Sequence, residues 1–479
     1  MASKMLMGDM PELMEIIFNN LNNEFYSLYS CALVSRHWCK MTIPILWQNP
    51  FSFGKNSLFI SQYVSSLDEN EKLFLKTYEI NVNFANTLFN YARFLKVLNS
   101  TSLEWKVQEW IDFQLVDSKP YASAKCLIIN LLFNLFIKGR NELFFSRLQD
   151  LSFDLFQMSD LNAEHLTVLL KILAKNTTKI NVLKIEEFCY IHEPRLVHAL
   201  ECFIKSQEQL KQFRLLSGSK YSTEFHGIIS ALESQSKSLK EVKIVSCVCN
   251  TEFKMLMNCK NLEILRIKDC KNVNVLRASL DTLKLTSYSN FYASNIVQIL
   301  KESGTLLQRL SLVTIDCSIL EELLLLETLK SFCPNLTYLN LTNVEFSTQF
   351  SELIGNLQKL QFLTLEFFEI QILEDELEIL VMQFAELLPL TLQYLDLRNS
   401  WFISYIDIFL NNCHAPLKYL LIDHIDDKKT SKSLTEFCIR KKTLKYVGLN
   451  RYSSLNDSIK KELEGYIAMV PNGRIIVNC

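Results

Sequence analysis

Glycine is scarce in this chain, at 10 residues in 479. No Gly-x-Gly-x-x-Gly and no Gly-Lys-Ser/Thr occurs, so the sequence offers no backbone cradle for a phosphate. An excess of charge is lacking too. There are 50 basic and 52 acidic residues, a net charge of −2, which gives no electrostatic ground for nucleic acid or for an anionic membrane. Long apolar runs are missing: the most apolar stretch, Ile128 to Ile137, is interrupted by Asn130 and Asn134 and is too short to cross a bilayer. The first residues lack a basic region followed by an apolar run, so no secretory signal is visible. The 14 cysteines include no Cys-x-x-Cys pair. Cys247 and Cys249 have one residue between them, which is poor zinc spacing, and no matching pair follows. Without a signal they read as reduced, buried thiols of a cytoplasmic and/or nuclear protein. His192 and His198 share a helical face only loosely, with no carboxylate at ligand spacing. The sequence thus predicts no catalytic residue, no metal and no cofactor.

What the chain does have is a dense stretch from Met10 to Trp47. Three short amphipathic helices fit it. Asp9 is placed to cap the first, with Glu12 reaching back as a capping box, and Pro11 lies in the first turn. Leu13, Ile16, Ile17 and Leu21 recur at helical spacing. Leu28, Ala32, Leu33, Val34 and Trp38 belong to the next two helices. A unit of about 40 residues cannot bury this much Leu, Ile and Trp by itself. Apolar surface left over on so small a unit belongs to a partner. A helix-turn-helix DNA reader fits poorly, because the third helix offers only Arg36 and Lys40.

The order of these residues resembles an F-box. The carriers are Pro11-Glu12-Leu13, Ile16-Ile17-Phe18, Ala32-Leu33-Val34-Ser35-Arg36-His37-Trp38 and Ile45-Leu46-Trp47. Met10 stands where the family has Leu, a volume-conserving difference. The second-helix sequence is similar to that of divergent fungal F-box proteins. The resemblance implies docking to a Skp-type adaptor and, through it, to the cullin of a ubiquitin ligase. It carries the adaptor contacts onto Pro11, Leu13, Ile17, Leu33, Val34 and Trp38. The plainer reading is a helical cap on a larger fold.

After a break at Pro50 and Gly54, residues 49–145 read as a helical linker and N-terminal cap, with helical pattern over Asn86–Leu98 and Cys126–Lys138. Leu75 to Ile80 could be a degenerate first repeat. From 146 to 479 one unit recurs: apolar-x-x-apolar-x-apolar. It begins at Leu148/Leu151/Phe153, passes through Leu265/Ile267 and Leu339/Leu341, and ends at Leu444/Val447/Leu449, twelve copies in all. Their spacing runs from 18 to 32 residues, about 27 on average, the leucine-rich-repeat period. Helical segments such as Leu166/Leu169/Leu170/Leu173 lie between copies. The fold class is therefore α/β: a three-helix F-box over residues 1–48, then a leucine-rich-repeat solenoid with parallel strands on its concave face and helices on its convex face. Cys247 and Cys270 fall where such repeats place Asn or Cys under a turn. The gap from Leu265 to Leu283 is too short for a helix, and Gly473–Cys479 is expected to be a closing edge strand.

Strand alternation predicts an outward row between the last two apolar residues of each copy. It reads Lys184, Arg214, Lys243, Arg266 and Lys284, then Ser311, Asn340, Thr364 and Asp396. Adjacent strands lie about 4.8 Å apart, so the basic row needs Glu186 and Glu241, or an acidic ligand, beside it. One position earlier, the later copies carry Tyr338, Phe362, Tyr394, Tyr419 and Tyr446, good anchors for a protein ligand. Both rows also suit a soluble strand with no ligand at all. The expected function is substrate recognition for a Skp–cullin–F-box ubiquitin ligase, with an unidentified substrate protein on the concave face, phosphorylated or acidic if the basic row holds it. The alternative is a scaffold or inhibitor that acts outside any ligase; an enzyme has no motif to support it.

Overall fold

The computed structural model describes residues 11–22, 24–52, 57–77, 80, 87–114, 121–138, 147–154, 160–188, 194–217, 227–315, 317–367, 374–425, 428–450, 460–461 and 463–475. The chain divides into two compact units, Met1–Ser219 with Phe225–Leu239, and Lys220–Glu224 with Lys240–Cys479.

The first unit opens with three helices, Pro11–Asn20, Phe25–Ala32 and Arg36–Leu46. Asp9, the expected cap of the first, lies outside the described residues. Ser35 caps the third, its hydroxyl accepting the Trp38 amide at 3.1 Å. The helices close around Met14, Phe18, Leu28, Ile45 and Leu46. The first helix therefore buries a different face from the one its sequence pattern favoured. Met14 and Phe18, with Leu21 beside them, pack inward, while Leu13, Ile16 and Ile17 point out. Both sets recur at helical spacing, so periodicity alone could not rank them.

Helices Ile60–Ser65, Glu69–Thr77, Ser100–Gln114 and Tyr121–Lys138 follow. Leu75, expected in a degenerate strand, is in the Glu69–Thr77 helix. The helix expected over Asn86–Leu98 gives way to a 3-10 turn, Tyr91–Phe94, and the first strand, β1, Val97–Asn99. Leu95 and Leu98 are buried as repeat residues, but Ser100 fills the third apolar place and hid this copy. β2 (Asp150–Asp154), β3 (Val182–Phe188) and β4 (Gln212–Ser217) then add in parallel, each to the one before. Helices Asp160–Asn176 and Pro194–Ser206 connect them, with Leu169, Leu173, Leu200 and Phe203 buried.

The second unit repeats the pattern. Its strands are β5 (Glu241–Val245), β6 (Ile264–Lys268), β7 (Thr282–Ser287), β8 (Phe291–Tyr292), β9 (Arg309–Thr314), β10 (Ile319–Leu320), β11 (Tyr338–Val344), β12 (Phe362–Phe367), β13 (Tyr394–Asp396), β14 (Tyr419–Ile422), β15 (Tyr446–Leu449) and β16 (Ala468–Pro471). β8 and β10 form a small pair of their own. The others make a parallel sheet in chain order. Helices that include Glu322–Phe332, Thr348–Asn356, Glu374–Leu387 and Lys428–Lys441 alternate with the strands, so each unit is a solenoid-like α/β repeat.

The physical reason is visible in every copy. The three apolar residues of all twelve triplets are buried, none more than 5% exposed. Each full burial of a Leu or Ile contributes about 1.5–3 kcal/mol, and it is available only when a neighbouring repeat covers it. A backbone device fixes the register. In most copies one carbonyl before a strand accepts two successive amides of the next: Lys96 from Gln149 and Asp150, Gln361 from Gln393 and Tyr394, Lys418 from Lys445 and Tyr446. Cysteines take the expected place under the turns. Cys247 donates to the Val245 carbonyl at 3.1 Å, Cys270 to that of Lys268 at 3.4 Å, and Cys317 to that of Ile315 at 3.2 Å. Between β6 and β7 only the 3-10 turn Val273–Val275 fits. The expected closing strand is displaced. β16 is the last described strand, Pro471 has no N–H to extend its ladder, and Asn472–Arg474 is a 3-10 turn. Residues 476–479 lie outside the described part.

Candidate functional site

Two surfaces merit attention, one in each unit. In the first unit the three-helix bundle leaves apolar side chains facing out. Ile16 is 59% exposed, Leu33 71% and Val34 60%. Leu13 and Ile17 are also exposed. Leu33 and Val34 form the corner between the second and third helices. Their amides donate back to the Ser30 and Cys31 carbonyls, at 3.1 and 3.2 Å, and Ser35 starts the next helix at once. The backbone is thus satisfied, and the two side chains project. Pro11 opens the first helix. Trp38 differs from the others: it is half-buried, with its ring 5.2 Å from Phe18 and edge-on to it. Of the residues expected to meet a Skp-type adaptor, Leu13, Ile17, Leu33 and Val34 are therefore open, while Trp38 belongs partly to the bundle's packing.

The bundle is fastened to the sheet of its own unit. Trp47 stacks on Tyr91 at 4.0 Å and lies edge-on to Tyr63 at 5.2 Å. The Gln48 carbonyl accepts the amides of Lys96 and Val97 at 2.8 and 3.0 Å. This is the same two-amide device that links the later strands, so Gln48 stands where a preceding repeat would.

The basic row is in register within each unit. Lys184 and Arg214 are neighbours on β3 and β4, and Lys243, Arg266 and Lys284 on β5, β6 and β7. Carboxylates already answer it. Arg214 Nη1 is 3.3 Å from Glu186 Oε1, and Arg266 Nε is 2.9 Å from Glu241 Oε1. Burial raises the Asp150 carboxyl above its ordinary range, and Lys184 pulls it back down. Pairs this open contribute about 0–1 kcal/mol each, but they already answer both arginines of the row. Further along the row, Ser311 and Asp396 are buried although they point outward. Arg398 forks onto Asp396 with contacts of 2.8 and 2.6 Å.

The aromatic row is a column. Tyr338, Phe362, Tyr394, Tyr419 and Tyr446 lie side by side on β11 to β15. Ring centroids are 6.0 Å apart for Phe362–Tyr394, 6.4 Å for Tyr394–Tyr419 and 5.5 Å for Tyr419–Tyr446, the last pair stacked within 6°. Arg309 caps the other end, 4.5 Å from the Tyr338 ring centre. Tyr338 and Tyr394 are buried, and only Tyr446, at 38%, is exposed. Burial and the Asp396 carboxylate push the Tyr394 phenol up.

Beside the column runs a groove of about 730 Å³, lined by Phe362, Gln393, Tyr394, Lys418, Tyr419, Tyr446, Val470, Arg474 and Ile475. Its far wall depends on Gly448. A Cβ there would lie 2.9 Å from Leu421 Cγ and 3.4 Å from Ile475 Cδ1. Only a bare backbone lets the Asn472–Ile475 turn fold down onto the sheet. Sequence reasoning found the column but missed Arg309, Lys418 and Arg474. Arg309 could have been found by carrying the aromatic position back one repeat, to the residue paired with Tyr338. Arg474 could not, because the fold-back at Gly448 brings it in.

Residues 11–52 match the F-box-like family. No curated protein matches the chain. Among solved structures the chain is similar to a protein from Bacteroides fragilis, at 15% identity and a TM-score of 0.30, over 49% of this chain and 65% of that one. It is also similar to the complex of Rad7 and Elc1 in yeast, at 15% identity and a TM-score of 0.40, over 85% of this chain and 98% of that one. Both scores are below 0.5, and the fold above rests on the chain's own geometry.

Proposed function

We propose that this chain is the substrate-recognition adaptor of a Skp–cullin–F-box ubiquitin ligase. The helical bundle docks a Skp-type adaptor, which brings a cullin. The repeat units, of leucine-rich type, hold the substrate protein. The reaction is carried out by other subunits, and this chain contributes proximity. Its place of action is then the cytoplasm, the nucleus or both. One observation carries the reading: the stretch that matches the F-box-like family is also the one that leaves Leu13, Ile16, Ile17, Leu33 and Val34 facing solvent on a packed bundle. Surfaces of that kind are interaction sites.

Co-expression with a Skp-type adaptor tests it. The intact chain should co-purify with the adaptor, and Leu33→Asp with Val34→Asp should abolish capture while the thermal midpoint holds. Trp38 is a poor probe, because its ring packs on Phe18 and its loss would disturb the bundle. Failure of the intact chain to bind, or undiminished capture by the double variant, would leave a scaffold outside any ligase as the better reading.

A further inference from the structure

The basic row and the aromatic column differ in one decisive respect. Arg214 and Arg266 of the row have Glu186 and Glu241 against them. The groove beside the column has no acidic residue among its described lining, yet Lys418 and Arg474 both face it. Lys418 donates to the neutral Gln393 side chain at 2.8 Å, a contact that offsets no charge. The outer sheet face of the second unit therefore carries here a basic groove with no carboxylate in its described lining, next to aromatic rings.

The column also ends abruptly. Tyr446 has Tyr419 stacked on one face. On its other side the register places Ala468, whose methyl group cannot cover a ring. A second cavity, of about 530 Å³, reaches Tyr446 and Ala468 from that side, with Tyr466 on its rim. The stack is one ring short at its exposed end.

We infer that this groove binds an acidic peptide segment carrying an aromatic side chain, the ring completing the stack over Ala468 and the carboxylates meeting Lys418 and Arg474. The inference rests on the adaptor reading and names the chemical class of its substrate. It moves recognition of acid from the basic row, where the sequence suggested it, to the last strands of the second unit. A single-stranded nucleic acid is the competing polyanion. It needs several ring faces for successive bases, whereas Tyr419 is stacked on Tyr446 and Tyr394 is buried between its neighbours in the column. The near-zero net charge offers it no wider attractive field.

The test uses the purified full chain and a displayed library of random dodecapeptides. The enriched peptides should carry an aromatic residue flanked by Asp or Glu. A fluorescent copy of the most enriched peptide should bind, and more weakly as salt rises. Ala468→Trp, which supplies the missing ring from the chain itself, should weaken binding about tenfold or more, as should Lys418→Glu with Arg474→Glu. These positions are half-buried or exposed, so unchanged thermal midpoints should accompany the loss. The inference is overturned if nothing is enriched, if the enriched peptides lack acids or an aromatic residue, or if both variants bind as before. Groove-dependent binding of a labelled dodecathymidylate, tighter than that of the peptide, would overturn it in favour of nucleic acid. Adaptor capture is not involved. Failure of the intact chain to capture the adaptor, with peptide binding intact, would remove the ligase reading and leave this one, and capture that depends on Leu33 and Val34 without peptide binding would do the opposite.

Discussion

Glu322 receives the Glu345 amide on both carboxylate oxygens, at 3.2 and 3.0 Å. Its carboxyl is nevertheless raised from 4.5 to about 7, because burial outweighs that hydrogen bond, and the Glu345 charge adds to the rise. The sign follows from linkage. Below about pH 4.5 the folded and unfolded chains both keep the proton. Between there and pH 7 the unfolded chain releases it while the folded chain holds it, so stability falls as pH rises through that window. Glu322→Gln keeps an acceptor for the Glu345 amide and removes the titration. The thermal midpoint of the native chain should fall from pH 4.5 to 7 relative to that of Glu322→Gln, and parallel profiles would refute the assignment. Nothing in the sequence marks this glutamate, because its burial arises from repeats that lie apart in the chain. The aromatic column was legible for the opposite reason: its members occupy one position of a regular unit.

At the scale of the element, the triplet pattern located all twelve repeat strands that it named, because burial of the third and second apolar residues requires a period of two. It failed where the pattern lacked a member or had a rival. Ser100 concealed β1, and Leu75 served a helix instead. The first helix shows a third kind of failure. Both of its faces are apolar, one for the bundle and one for solvent, and only packing distinguishes Phe18 from Ile17. Within the sheet, each repeat is supported by its neighbours, so one core truncation is felt through the stack. Leu363 is fully buried on β12. Leu363→Ala should cost about 2–5 kcal/mol and lower the urea midpoint clearly, whereas Leu306→Ala, at an exposed position, should change it within about 0.5 kcal/mol. Equal shifts for the two would mean that the triplets do not bear the stability assigned to them.

At the scale of the whole molecule, an N-terminal docking module is commonly treated as detachable from the repeats that follow it. The first unit argues against this here. Gln48 presents the carbonyl that most later repeats present to the next, and Trp47 stacks on Tyr91 at 4.0 Å. Removing residues 1–48 would leave the amides of Lys96 and Val97 without that acceptor and would strip the aromatic cover from Tyr63 and Tyr91. A buried amide left unpaired costs about 1–3 kcal/mol, and the lost aromatic packing adds to it. The truncated chain should therefore melt earlier than Leu33→Asp with Val34→Asp, although both lose the exposed apolar corner at Leu33 and Val34. Hydrogen exchange localises the difference. Lys96 and Val97 should be protected in the intact chain and in the double variant, and should exchange quickly after truncation. If truncation leaves their protection unchanged, the bundle is an independent module and the repeats need no starting unit. If it removes the protection, binding partners lost on truncation cannot be credited to the docking surface alone, and the point variants are the proper comparison.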